Sequence, residues 1–143
     1  MMPNKIIIHH SLTKDGSTVS WQAIRKYHMG EIPGCSFTFH DIGYHFGIEL
    51  INDRYEILCG LMIGQAGAHT RGQNFDSIGV CLIGNFDIEM PDPVQISMAS
   101  RLISSLCGHF NIPHVRVYGH RDFANKSCPG KNFDLRYFRS LLH

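Results

Sequence analysis

At 143 residues the chain is long enough for one domain and short for two. Hydrophobic residues at 43% and charged residues at 17% exclude a disordered chain, and a core of this size needs no disulfide framework. A net charge of +1 leaves no electrostatic footprint for nucleic acid or an anionic membrane surface.

From the N-terminus, residues 1–10 hold only the short apolar run Ile6-Ile7-Ile8. A secretory signal needs an apolar region of about 7–15 residues and a small-residue cleavage site, so synthesis in the cytoplasm without a signal peptide is expected. Residues 5–9 read as a short buried strand, bounded by Pro3-Asn4 and Ser11. Residues 20–29 read as a helix with Ser20 as N-cap and Gly30 just past its end, carrying Trp21, Ile24 and Tyr27-His28 on one face. Residues 44–50 and 54–58 form a strand pair turned at Asn52-Asp53. The apolar run at 77–83 predicts a central strand buried on both faces.

The clearest helix spans 93–110. Asp92 caps it, Pro93 suits its first position, and Gln95 completes a D-x-x-Q variant of the capping box. Ile96, Ala99, Leu102, Ile103, Leu106, Cys107 and Phe110 recur at three- and four-residue steps. Residues 115–118 predict another short strand and 134–142 a last helix. Strands interleaved with helices give a single α/β domain, and no stretch of ~18 apolar residues predicts a membrane span.

Ten histidines and five cysteines are the unusual part of the composition. The cysteines, at 35, 59, 81, 107 and 128, have no repeated short spacing, so free thiols are expected. Three places combine metal-capable residues with element ends: His9-His10, Gly119-His120-Arg121-Asp122, and Lys126-Ser127-Cys128-Pro129-Gly130. His120 and Cys128 lie eight positions apart in a loop bearing Pro and Gly. One strand histidine added to them makes a His, His, Cys set that leaves a fourth tetrahedral position open. Alternation sends His9 and His10 to opposite faces, so only one of them serves the same metal. On spacing alone Cys128 is open to three readings: metal ligand, nucleophile paired with His120, or buried packing residue.

The segments I-I-I-H-H-S at 6–11, D-I-G-Y-H-F at 41–46, N-F-D-S-I-G-V-C-L-I-G-N-F at 74–86 and G-H-R-D-F-A-N-K-S-C-P-G at 119–130 carry a resemblance. With them the chain resembles the zinc-dependent N-acetylmuramoyl-L-alanine amidases of the type-2 amidase and peptidoglycan recognition protein superfamily. It is most like their short phage lysozymes (endolysins). The resemblance implies a central mixed sheet flanked by helices, with one zinc ion at strand ends and adjoining loops. It implies His9, His120 and Cys128 as zinc ligands, Tyr44 and Lys126 as active-site residues, and His69 as a residue lining the substrate groove. It also implies hydrolysis of the amide between N-acetylmuramic acid and L-alanine in peptidoglycan, by a monomer acting on the cell wall after release. In this reading residues 1–143 are one catalytic domain without a separate wall-binding module. One branch of the superfamily carries a glutamate base where this chain has Cys81, which moves the burden to Tyr44 and Lys126. Tyrosine, with an ordinary pKa of about 10, suits proton relay better than outright base.

Two other functions stay in view. A muropeptide-binding module without hydrolysis would lack the cysteine ligand, which this chain has. A cysteine peptidase using Cys128 and His120 would keep its activity in a chelator.

Overall fold

A computed structural model of the chain describes residues 2–13, 21–31 and 39–143. Among the described residues, five strands form one mixed sheet: β1 (Lys5–His10), β2 (Phe46–Ile51), β3 (Arg54–Cys59), β4 (Ser77–Leu82) and β5 (Val117–Gly119). Their order is β3-β2-β4-β1-β5. β1 runs parallel to both β4 and β5, β2 runs parallel to β4, and only β3 is antiparallel to its neighbour. β4 is the middle strand and every residue of it is buried, as its unbroken apolar run requires.

Helices cover both faces. α2 (Pro93–Phe110) and α3 (Leu135–Ser140) pack on one side, where Ile6, Ile8, Ile78, Val80 and Leu82 meet Ala99, Ile103, Leu106 and Phe138. α1 (Trp21–His28) covers the other, where Trp21 joins Ile42, Cys81 and Ile83. The Trp21 ring lies so close on Gly47 of β2 that a Cβ there would sit 2.3 Å from it. Glu49, a buried carboxylate of β2, accepts the Trp21 backbone N–H at 3.0 Å and so caps α1 from across the fold. The expected cap Ser20 and the expected free thiol Cys35 lie outside the described residues.

Several boundaries differ from expectation. β2 begins at Phe46 rather than 44, because at Gly43 the backbone turns to pair with Ala68 and the His28 ring. The segment expected as a strand from 115 starts as a 3-10 turn, His114–Arg116, and the strand is Val117–Gly119. Arg116 N–H closes that turn on Pro113 O, which leaves Val115 exposed. Asn52 and Asp53 turn the β2–β3 hairpin with positive φ of 49° and 63°, as the turn reading requires. Asp92 caps α2 through Val94 N–H, but Gln95 does not complete a capping box. Its buried amide donates instead to Ile48 O and Ile83 O.

Candidate metal centre

β1 and β5 run parallel with Ile8 opposite Gly119, so both carboxyl ends arrive at one place. His9 is the next residue of β1 and His120 the first after β5. Their ring centroids are 4.7 Å apart. Strand alternation points His9 to the α1 face and His10 to the α2 face, where its Nδ1 accepts the Phe86 N–H.

The loop after His120 folds back to deliver Cys128. Arg121 N–H bonds to Cys128 O at 2.7 Å, and the Arg121 guanidinium donates to Gly130 O and Phe133 O. Asp122 closes the loop's start by accepting the Gly119 N–H. Cys128 Sγ then lies 3.7 Å from His9 Nδ1. One ligand atom each from His9, His120 and Cys128 lies within 4.8 Å of the others, so this cluster can hold a metal ion. Two imidazole nitrogens and one sulfur are a donor set of the kind that suits zinc.

The electrostatics of the pocket suit that use. Burial pushes the His9 imidazole well below its ordinary pKa, helped by His69 and His120, and burial lowers His120 too. Both rings are therefore neutral near pH 7, with a lone pair to offer. Burial pushes the Cys128 thiol up to about 11, against a hydrogen bond from the His10 backbone N–H and the positive field of Lys126. The exposed Lys126 ammonium acts on all three cluster residues.

Tyr44 stands beside the cluster, its ring centroid 5.1 Å from that of His9. Burial raises its pKa well above 10, with Cys81 and Cys128 adding to the effect. Cys81 is the register partner of His9 on β4, which sets it beside the cluster.

His69 adjoins the cluster through His9. It is 8% exposed, and its Nδ1 lies 3.0 Å from His9 Nε2. Burial pushes its pKa down to about 3, helped by His45 and His120. Asp87 is a residue that sequence reasoning missed: it accepts from Ser127 Oγ and from Lys131 N–H, on either side of Cys128. Its only signal was its position just after the β4 motif.

The family model for N-acetylmuramoyl-L-alanine amidase (Amidase_2) matches residues 1–131. The chain is 30% identical over 138 residues to an endolysin of Enterobacteria phage K11, covering 93% of this chain and 83% of that one. It superposes on N-acetylmuramoyl-L-alanine amidase LysC from Clostridium intestinale with a TM-score of 0.80 at 28% identity, covering 98% of this chain and 85% of that one. It is also similar to Drosophila PGRP-LB, solved as a mutant in complex with tracheal cytotoxin: TM-score 0.74, 28% identity, 93% of this chain and 79% of that one.

Proposed function

Because the chain belongs to the N-acetylmuramoyl-L-alanine amidase family, we propose that it hydrolyses the amide between N-acetylmuramic acid and L-alanine in peptidoglycan, as a phage-type endolysin acting at the cell wall. The observation that carries this reading is the convergence of His9, His120 and Cys128 at the carboxyl ends of two parallel strands. His9 through Nδ1, His120 through its ring and Cys128 through Sγ would hold one zinc ion. Zinc in a three-ligand site supplies Lewis acidity at its open position, acidifying water and polarising a carbonyl.

The chain's own residues do the rest. Lys126 presents an ammonium to the carbonyl oxygen as negative charge builds on it. Tyr44, held protonated by burial, donates a hydrogen bond and relays the proton that the leaving alanine nitrogen takes up. Water adds across the amide, leaving a lactyl carboxylate and a free alanine amine. The alternative of a thiol nucleophile has less support, since such a group needs a lowered pKa and burial pushes Cys128 up to about 11.

Mass spectrometry of products from purified peptidoglycan tests the reading. Muramic acid freed of its stem peptide, with new L-alanine N-termini, is expected, with activity lost in chelator and restored by zinc. Activity that persists in chelator, or cleavage at any other bond, would overturn it.

A further inference from the structure

His9 has two ring nitrogens, and only one tautomer leaves the nitrogen facing Cys128 free to ligate. The surrounding hydrogen bonds decide which tautomer is present, and they can be read from a fixed end. Ser77 Oγ lies 2.6 Å from the backbone carbonyl of Gln73. A carbonyl only accepts, so the single Ser77 hydroxyl proton is spent there. Ser77 Oγ is also 3.3 Å from His69 Nε2, and having no proton left it must accept, which makes His69 Nε2 the protonated nitrogen. In a neutral ring His69 Nδ1 is then an acceptor. It faces His9 Nε2 at 3.0 Å, so His9 Nε2 must be the donor. His9 Nδ1, 3.7 Å from Cys128 Sγ, keeps its lone pair. Thr70 Oγ1 flanks the His9–His69 bond, at 3.0 Å from His69 Nδ1 and 3.3 Å from His9 Nε2.

The His69 ring is also held mechanically. It lies in a slot between two glycines: a Cβ on Gly67 would come within 2.5 Å of its Cδ2, and one on Gly79 within 2.6 Å. Gly79 is itself fixed, its N–H donating to His45 Nδ1 at 3.0 Å.

We propose that His69 is a positioning residue for the metal centre: with Ser77 and Gln73 O it holds His9 as the Nε2–H tautomer, and Gly67 and Gly79 form the slot that keeps its ring in line. The proposal rests on the metal reading above and deepens it. His69 acts on the metal site through His9.

The test combines two readouts. Zinc affinity is measured by chelator competition for the full chain, His69→Phe, His69→Gln and the ligand variant Cys128→Ser. His69→Phe should bind zinc roughly 10–100-fold more weakly, the range for losing an outer-shell partner. His69→Gln, whose amide oxygen can accept from His9 Nε2, should recover most of that loss. Nitrogen-15 NMR of the zinc-free wild-type chain should find His9 protonated at Nε2. Wild-type affinity in His69→Phe, equal losses in Phe and Gln variants, or a His9 proton on Nδ1 would each overturn the proposal. The NMR readout needs no variant, so it stands even if His69→Phe does not fold. Failure of the metal reading looks different: the wild-type chain and Cys128→Ser would then bind zinc equally poorly.

Discussion

Asp87 Oδ2 accepts a hydrogen bond from Ser127 Oγ at 2.7 Å, one residue before Cys128, while Asp87 Oδ1 accepts the Lys131 N–H at 2.9 Å. One carboxylate thus straddles the turn that bears Cys128, and these bonds hold its pKa below the ordinary carboxylate value. Asp87→Ala should free both strands of that turn and weaken zinc binding roughly tenfold, with the fold retained. Ser127→Ala leaves the Lys131 contact and should cost less. Chelator competition on both variants checks the order, and equal, wild-type affinities would remove the clamp from the account.

Tyr44 and Lys126 flank the cluster without belonging to its donor set. Tyr44→Phe and Lys126→Ala should therefore keep stoichiometric zinc. Each should lose turnover on the order of 10²-fold or more, the usual size of a proton-transfer or oxyanion contribution. Metal content and kcat on a soluble muropeptide, taken together, separate this from a ligand role. Near-normal kcat in both variants would show the role assignment wrong even with the metal centre intact.

The metal-capable residues were legible because they sit at strand ends inside motifs, where local sequence carries chemistry. Strand order was not, since the β1–β4 and β1–β5 pairings join segments about 70 and 110 residues apart and depend on register alone. For the same reason His69 could be singled out but not placed: its partners Ser77 and Gly79 lie on β4, and its slot exists only once that strand is seated. Gln95 shows a local rule overridden. The D-x-x-Q pattern fits a capping box, but two buried carbonyls, Ile48 O within β2 and Ile83 O just past β4, claim the amide. Gln95→Leu would leave Ile48 O without that donor and Ile83 O likewise, deep in the core. It should destabilise the chain by about 2–4 kcal/mol in urea unfolding, where a cap-only role would predict far less.

Zinc binding should release a proton. Above pH 7 the His9 and His120 rings are already neutral, because burial lowers both pKa values. The Cys128 thiol, at about 11, is still protonated and must lose its proton to ligate. Apparent affinity should therefore rise about tenfold per pH unit between about 7 and 10. Calorimetry in buffers of different ionisation enthalpy should count one proton per zinc. A count near zero would mean the thiolate is already formed, and a count near two would mean a histidine is charged.

Stability of the metal-free chain should fall as the pH drops below about 6.5, the ordinary histidine value. The sign follows from where protons bind. His69 in the folded chain has its pKa pushed down to about 3, by burial first and then by His45 and His120, whereas in the unfolded chain it titrates near the ordinary value. Between those two values the unfolded state binds the extra proton, so stability is fully present above the unfolded pKa and is lost as pH falls towards 3. His9, His10, His28, His45 and His120 are shifted the same way, with burial the largest cause in each. Each proton withheld contributes up to about 1.4 kcal/mol per pH unit to the slope. Urea unfolding from pH 7 to 5 stays above the carboxylate range and isolates this effect. The slope should exceed that of a single histidine, and His69→Gln should flatten it by close to one proton. A flat profile over that window would mean these rings are charged in the fold, which a cluster of neutral metal ligands does not allow.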